Sequence, residues 1–315
     1  MIAFLFPGQG SQKVGMGKAL AEAYPEARAA FEEADAAFVD DDRPSTPLST
    51  LCFEGPEDRL TLTEITQPAI LAVSVAACRV LEARGVCPAL VAGHSLGEYS
   101  ANVSAGTFAF RDAVRVVRRR GRYMQEAVPA GVGAMAAILG ASLDTVRQAC
   151  EEAADGEIVS PANINGQGQV VIAGHASAVR RASARAKALG AKLVVPLPVS
   201  APFHCALMKP AEERLERELR GLTVRDPRVP IVANVDGRLR TDAPSAIDAL
   251  VRQVSAPVQW ESVVRCLASQ GVTTYVEVGP GTVLGGLVRK IHTDARLAHL
   301  GSPDDLPAVM AACSN

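Results

Sequence analysis

The chain has 315 residues, of which 48% are hydrophobic, 21% charged and 4% aromatic, and its formal net charge is −2. This length allows one large or two modest domains with a substantial core. The balanced charge argues against binding to nucleic acid or to an anionic membrane surface.

The cysteines and the first residues indicate where the protein works. Seven cysteines are scattered without a C-x-x-C pair or a metal-ligand spacing, so we expect reduced thiols and no metal site. The chain begins M-I-A-F-L-F-P, which lacks the basic segment of a signal peptide, and we find no apolar stretch that approaches a membrane span. We therefore expect a soluble cytoplasmic protein.

The first part of the chain alternates apolar strand-like runs with amphipathic segments. Residues 2–6 predict a buried strand that ends at Pro7-Gly8, and residues 40–46 predict a polar loop. The predicted helices cover residues 16–24, 25–37, 67–84 and 110–126. This alternation is typical of an α/β fold with a mostly parallel sheet.

The most informative stretch is Gly93-His94-Ser95-Leu96-Gly97, which follows an apolar strand and opens a helix. A G-x-S-x-G motif in this setting is a nucleophile elbow, a tight turn that exposes a serine hydroxyl at the carboxyl end of a strand in α/β-hydrolase-like folds. The helix start behind the serine also offers free backbone N–H groups to an oxyanion. A chance glycine-serine turn is the alternative, and the flanking strand and helix favour Ser95 as a nucleophile.

The middle of the chain has a different order of elements. Its predicted strands cover residues 133–140, 158–163, 169–173 and 192–196, and its helices cover residues 142–153 and 176–189. This β-α-β-β-α-β order is the ferredoxin-like pattern. We therefore expect a ferredoxin-like subdomain at residues 128–198, inserted in an α/β-hydrolase-like core of residues 1–127 and 199–315.

The chain returns to α/β character after residue 198. The predicted helices cover residues 206–219, 246–254, 260–269 and 283–291, and the predicted strands cover residues 229–233 and 274–278.

A serine nucleophile needs a base, and the chain has five histidines. His204 lies in the turn Pro202-Phe203-His204 at the return from the predicted subdomain, where a loop can carry a catalytic side chain. The other histidines suit the elbow itself, a strand–helix junction or the surface. Elimination alone leaves a structural role for His204 open.

Several blocks now carry a family resemblance, and they occur from the first residues to about residue 290. The chain resembles the malonyl-CoA:acyl carrier protein transacylases. The matching blocks are F-P-G-Q-G-S-Q from Phe6, G-H-S-L-G-E from Gly93, R-G-R-Y-M-Q from Arg120, G-A-M-A-A from Gly133, G-Q-V-V-I-A-G from Gly168, P-F-H from Pro202, P-V-Q-W from Pro257 and E-V-G-P-G from Glu277.

The resemblance implies a catalytic dyad of Ser95 and His204 rather than a triad. It implies that a backbone carbonyl orients the histidine, and the P-V-Q-W block assigns that carbonyl to Gln259. It further implies an oxyanion hole formed by the backbone N–H groups of Gln9 and Leu96.

The resemblance also implies a substrate site. Arg120, placed before Gly121, matches the arginine that holds the malonyl carboxylate through two parallel hydrogen bonds. Phe203 matches a position where an aromatic ring restricts the space beside the α-carbon, so we expect malonyl to be preferred over methylmalonyl. We expect Asn163, Asn234 and Gln259 to line the pocket, although ordinary strand-end hydrogen bonding is an equal alternative.

The implied reaction moves malonyl from malonyl-CoA to the phosphopantetheine thiol of an acyl carrier protein, with no cofactor and by a monomer. Three alternatives stay open. The protein could be a serine thioesterase or other hydrolase, an acyltransferase for another CoA-linked extender unit, or a non-catalytic protein that docks the carrier. The sequence leaves both fatty acid and polyketide synthesis possible.

Overall fold

A computed structural model of the protein describes residues 1–38, 46–129, 131–199 and 201–314. The elements up to the predicted subdomain are, in chain order, β1 (Ile2–Phe6), α1 (Lys18–Ala23), α2 (Pro25–Phe38), α3 (Leu48–Phe53), α4 (Glu57–Leu60), α5 (Thr63–Glu82), β2 (Leu90–Gly93), α6 (Gly97–Ala105) and α7 (Phe110–Glu126).

The remaining elements complete two sheets. They are β3 (Gly133–Leu139), α8 (Leu143–Ala153), β4 (Val159–Ile164), β5 (Gln169–His175), α9 (Ala176–Ala188), β6 (Leu193–Pro196), α10 (Lys209–Arg220), β7 (Ile231–Val232), β8 (Leu239–Arg240), α11 (Ala243–Gln253), α12 (Trp260–Ser269), β9 (Thr274–Val278), α13 (Val283–Ile291), β10 (Arg296–Leu300) and α14 (Leu306–Cys313). Short 3₁₀ turns precede α10 and α14.

The larger sheet has six strands in the order β10-β9-β1-β2-β7-β8, and every pair except β7–β8 is parallel. Side chains alternate across it: Phe4 and Phe6 of β1 join one hydrophobic cluster, while Ala3 and Leu5 join the cluster on the other face. Helices cover both faces, as a parallel sheet requires. The predicted α/β architecture with a parallel-rich sheet is confirmed.

Helix α5 packs within the hydrophobic cluster that contains Phe4 and Phe6. It is long and apolar enough to cross a membrane by length and composition, but 89% of its most apolar window is buried inside the fold. It begins at Thr63, four residues before the predicted start, because the helix accommodates Pro68 near its beginning. Its neighbour α7 has the predicted bounds.

The second sheet has four antiparallel strands in the order β4-β5-β3-β6. Helices α8 and α9 pack on it through residues such as Val146 and Val179. The predicted β-α-β-β-α-β succession is confirmed. Strand β4 of this sheet is hydrogen-bonded to Val258, which precedes α12. The N–H of Val258 donates to the carbonyl of Ala162 at 2.9 Å, and its carbonyl accepts from the N–H of Ile164 at 2.8 Å.

Several elements at the margins differ from the predictions. Strand β10, which forms an edge of the larger sheet, was not predicted, and neither were α3, α4, β8 and α14. Most of the predicted polar loop, residues 40–45, lies outside the described residues. None of these differences moves the carboxyl end of β2, where the elbow lies.

Candidate active site

The elbow is built as the glycine spacing predicts. Ser95 has a φ of 53°, a left-handed conformation that a serine adopts only when the surrounding structure holds it there. A Cβ on Gly97 would lie 2.0 Å from the carbonyl oxygen of Phe6, and one on Gly93 would lie 2.0 Å from the carbonyl of Gly97. Gly97 therefore lets the turn lie close to β1, and Gly93 lets the end of β2 lie close to the start of α6.

The side chain of Asn234 forms hydrogen bonds with the backbone of the elbow. Its Oδ1 accepts the backbone N–H of Ser95 at 2.7 Å, and its Nδ2 donates to the carbonyl of Gly93 at 2.7 Å. The residue is fully buried. Both ends of its amide are engaged by the backbone of the turn, which favours the alternative of ordinary hydrogen bonding, and a pocket role for Asn234 stays a prediction.

Ser95 and His204 are in contact, as predicted. The serine Oγ lies 2.7 Å from Nε2 of His204, and Nδ1 of the histidine lies 2.9 Å from the backbone carbonyl of Gln253. A carbonyl can only accept, so Nδ1 carries the hydrogen and the lone pair of Nε2 faces the serine hydroxyl. This is the tautomer that a general base needs, and it is set without a carboxylate.

The carbonyl that orients His204 belongs to Gln253 and not to Gln259, which corrects the expectation from the sequence. Gln259 stands at the start of α12, where its carbonyl accepts the N–H of Val263 at 3.0 Å. Its own N–H donates to the carbonyl of Asn234 at 2.8 Å. Gln253 is the last residue of α11, and the carbonyls of a final helical turn lack intrahelical partners.

The histidine is held neutral. His204 is buried, and burial lowers its pKa to about 3, with the positive charge of Arg120 and the neighbouring His94 acting in the same direction. Its backbone φ is 60°, so both members of the dyad occupy strained backbone conformations. His204 is therefore unprotonated and able to accept a proton across the neutral pH range.

Arg120 lies beside the serine and is almost fully buried, at 1% exposure. Its Nη2 donates to Ser95 Oγ at 3.2 Å and to Oε1 of Gln253 at 2.9 Å, and its Nη1 donates to Oε1 of Gln67 at 2.8 Å. Each of these acceptors is neutral, and within the described part of the chain Arg120 forms no salt bridge. A buried guanidinium of this kind is prepared for an anionic group that arrives with a ligand.

The loop after β1 lies against the elbow. A Cβ on Gly8 would stand 2.5 Å from the carbonyl oxygen of His94, so the backbone of residues 8–9 passes directly over the turn. Gln9 is exposed and its side chain donates to Oγ1 of Thr63 at 3.3 Å, whereas Leu96 is buried. The predicted oxyanion role of these two backbone N–H groups remains a prediction.

The last two predicted side chains lie on different parts of the fold. Phe203 precedes the base. Its side chain is 8% exposed and packs in the hydrophobic cluster that contains Phe4 and Phe6. Asn163 lies on β4, where its Oδ1 is buried without a hydrogen-bond partner among the described residues. A substrate role for both stays a prediction.

Three polar residues at the site were missed by the sequence reasoning: Gln67, Glu98 and Gln253. All three are buried, and together they bind Arg120 and brace the elbow. The available signal for Glu98 was its position inside the elbow block. Gln67 and Gln253 had none, because they lie on helices far from the motif in sequence.

The close packing of the elbow gives a first prediction. Gly97→Ala should abolish acylation of Ser95 and destabilise the fold, since the new methyl group would overlap the carbonyl of Phe6. Gly286→Ala is the matched control within another helix, because a Cβ there meets nothing within 4 Å. We expect the control to keep activity and to raise the free energy of unfolding by about 0.5–1 kcal/mol. Thermal unfolding and an acylation assay check both, and an active Gly97→Ala variant would contradict the close approach.

The sequence of this chain is similar to those of known proteins. A sequence model of the acyl transferase domain family matches residues 3–299. The malonyl CoA-acyl carrier protein transacylase of Escherichia coli K12 is 52% identical over 98% of this chain and 98% of its own length. The chain belongs to the malonyl-CoA:acyl carrier protein transacylase family.

Solved transacylase structures share the whole fold. The acyl carrier protein S-malonyltransferase of Vibrio cholerae superposes with a TM-score of 0.94 at 46% identity, covering 98% of this chain and 99% of that one. A malonyl-transacylase solved in complex with its type II PKS acyl-carrier protein also gives a TM-score of 0.94 at 46% identity, covering 100% of this chain and 99% of that one. The predicted resemblance is thereby confirmed over nearly the full transacylase chain.

Proposed function

We propose that this transacylase moves a malonyl group from malonyl-CoA to the phosphopantetheine thiol of an acyl carrier protein, through an ester on Ser95. The observation that carries the assignment is the buried guanidinium of Arg120, 3.2 Å from the nucleophile and without a carboxylate partner in the described structure. A malonyl thioester brings its own carboxylate into that position.

In the first half-reaction Oγ of Ser95 attacks the thioester carbonyl of malonyl-CoA, and Nε2 of His204 takes the hydroxyl proton. The tetrahedral intermediate collapses, the carbon–sulfur bond breaks, and the imidazolium returns the proton to the CoA sulfur. The malonyl ester of Ser95 remains. The carbonyl of Gln253 stabilises the imidazolium through Nδ1, 2.9 Å away.

In the second half-reaction the carrier's thiol takes the place of CoA. It loses its proton to Nε2 of His204 and attacks the ester carbonyl, and the bond to Ser95 breaks as the proton returns to Oγ. The same base thus serves both half-reactions. Because CoA leaves the acyl-enzyme before the carrier binds, the kinetics are ping-pong. We assign the developing oxyanion to the N–H groups of Gln9 and Leu96, each donor contributing about 3 kcal/mol of transition-state stabilisation.

A cavity next to the loop that carries Gln9 suits the arm that carries the thiol. It has a volume of about 570 Å³ and is lined by Gln9, by the first turn of α5, by Arg122 and by Pro198. We assign it to the pantetheine chain of either substrate, because it connects the surface to the loop that covers the elbow.

Phe203 is the proposed restriction beside the α-carbon of the acyl group. Phe203→Ala should raise the rate of acylation by methylmalonyl-CoA relative to malonyl-CoA by about 10-fold, since one methyl group is worth about 1–3 kcal/mol of packing discrimination. A competition assay with both thioesters, read by mass spectrometry of the Ser95 ester, measures the ratio. An unchanged ratio in a folded variant would remove Phe203 from the specificity site. Asn163 remains the proposed polar pocket residue.

The proposal also covers the division into domains, the cellular location and the oligomeric state. We assign residues 128–198 to a ferredoxin-like subdomain and residues 1–127 and 199–315 to an α/β-hydrolase-like core. The strand orders of the two sheets support this division. A cytoplasmic location fits cysteines that are free thiols throughout the described residues, and a monomer that needs neither a cofactor nor a membrane is part of the same proposal.

Transfer and hydrolysis are separated by one experiment. Incubation with radiolabelled malonyl-CoA, with and without holo acyl carrier protein, should give labelled carrier in the first case and a stable malonyl ester mapped to Ser95 in the second. Free malonate as the main product in both tubes would indicate a thioesterase. Absence of any ester would indicate a docking protein, and a preference for another CoA thioester would indicate a different extender unit.

A further inference from the structure

Glu98 is a buried carboxylate that the reaction above does not use. It lies in the first turn of α6, three residues after Ser95, with 1% exposure. Its Oε2 accepts from Nε2 of Gln253 at 2.7 Å and from the backbone N–H of Asn234 at 3.1 Å. It therefore binds the two residues that support the elbow and the base.

Gln253 forms hydrogen bonds with His204, Arg120 and Ser95. Its backbone carbonyl accepts from Nδ1 of His204, its Oε1 accepts from Nη2 of Arg120 at 2.9 Å, and its Nε2 donates to the carbonyl of Ser95 at 2.9 Å. A movement of this one side chain would shift the guanidinium, and a movement of its backbone would shift the imidazole.

The two ends of the Gln253 amide are not interchangeable here. An ionised carboxylate only accepts hydrogen bonds, so the NH₂ end must face Glu98, and the carbonyl end then faces Arg120. The reversed amide would place its NH₂ group against the N–H groups of Arg120 and its oxygen against the oxygens of Glu98 and Ser95. The carboxylate of Glu98 thus selects one of two orientations.

We propose that Glu98 is a positioning residue for acyl transfer: its carboxylate fixes the Gln253 amide, and through it the carboxylate-binding guanidinium of Arg120 and the imidazole of His204. This inference rests on the proposed malonyl transfer, since Arg120 has its assigned role only there.

The surroundings of Glu98 make this orientation sensitive to pH. Burial raises the pKa of Glu98 to about 7, while Arg240 of β8 and Arg120 of α7 favour its charged form, as do its hydrogen bonds. Tyr99, next to it on α6, is a neutral neighbour because burial raises the pKa of its hydroxyl to about 12. As the pH falls through 7, Glu98 gains a proton and becomes a donor, so that only Arg120 and the carbonyl of Ser95 still oppose the reversed amide and its orientation is held less firmly.

The test measures the acylation half-reaction alone, by rapid quench with malonyl-CoA or acetyl-CoA from pH 5.5 to 8.5. The wild-type malonyl rate should fall as the pH decreases through 7, at pH values where His204 stays neutral. Glu98→Gln cannot titrate and, like protonated Glu98, carries both a donor and an acceptor, so it should show the reduced low-pH rate of the wild type at every pH and lose this pH dependence. Glu98→Ala should lower the malonyl rate by about 100-fold and the malonyl-to-acetyl ratio by about 10-fold.

Glu277 provides the matched control. It is also buried, its pKa is also raised to about 7 by burial, and it accepts from the backbone N–H groups of Leu284 and Gly285 at the start of α13. Glu277→Gln should keep the wild-type pH dependence and ratio. A pH dependence that persists in Glu98→Gln, or is absent from the wild type, overturns the inference even if Glu98→Ala does not fold. Equal losses for both thioesters in a folded Glu98→Ala also overturn it. A wild type that transfers no malonyl group contradicts the proposed function instead.

Discussion

His204→Ala should lower the rate at which malonyl-CoA acylates Ser95 by about 10⁴-fold or more, because it removes the base that, among the described residues, contacts the hydroxyl. Serine alone is a poor nucleophile near neutral pH. Rapid-quench measurement of the malonyl-serine ester reports this step without interference from carrier binding. Since the pKa of His204 is lowered to about 3, protonation of the base itself should not change the size of this loss between pH 6 and pH 8.

His292→Ala is the control for this variant. His292 ends α13 and contacts the hydroxyl of Tyr275 at 3.0 Å, away from the elbow. It should leave the acylation rate within a few-fold of the wild type. Substantial acylation by a folded His204→Ala variant would mean that another group accepts the serine proton.

The elbow could be predicted from the sequence because its determinants are local. Gly93, Ser95 and Gly97 lie within five positions, and the steric requirement for glycine at both ends acts on the turn itself and on the strand beside it. The resemblance added His204 and Arg120, whose blocks are distinctive. The contact between Ser95 and His204 followed from the resemblance, although the two residues are 109 positions apart.

The supporting residues could not be found in this way, because only the fold brings them together. Gln253 lies 49 positions from His204 and 158 from Ser95, and it belongs to no glycine-rich or charged motif. The nearby P-V-Q-W block attracted the assignment to Gln259, whose carbonyl is engaged in helix α12. The amide of Asn234 binds the backbone of the turn, and a sequence does not show which way an amide at a strand end faces.

The helices and strands show the same difference between local and long-range determinants. Long periodic segments such as α7, α12 and α13 have the predicted bounds, since their apolar spacing is set within the segment. Strand β10 carries arginine and histidine and forms an edge of the sheet beside β9. Its pairing is a tertiary event that its own residues do not encode.

Arg120→Ala should lower kcat/KM for malonyl transfer by about 100-fold, because a charge-assisted hydrogen bond to a carboxylate contributes about 1.5–3 kcal/mol and the guanidinium can form two. Acetyl-CoA lacks the carboxylate and loses nothing by the change. Its transfer should be spared or should improve, since the charge of Arg120 lowers the pKa of His204 and its removal makes the base stronger. The two thioesters are compared in the same acylation assay.

Arg120→Lys separates charge from geometry. A lysine keeps the positive charge but cannot form two parallel hydrogen bonds with a carboxylate, so it should recover only part of the malonyl rate and should keep acetyl transfer low. The malonyl-to-acetyl ratio is the decisive quantity, because a general disturbance of this buried site lowers both rates together. Equal losses for the two substrates in folded variants would remove Arg120 from the carboxylate site. A ratio that falls in Arg120→Ala and is partly restored in Arg120→Lys would place the malonyl carboxylate on this guanidinium.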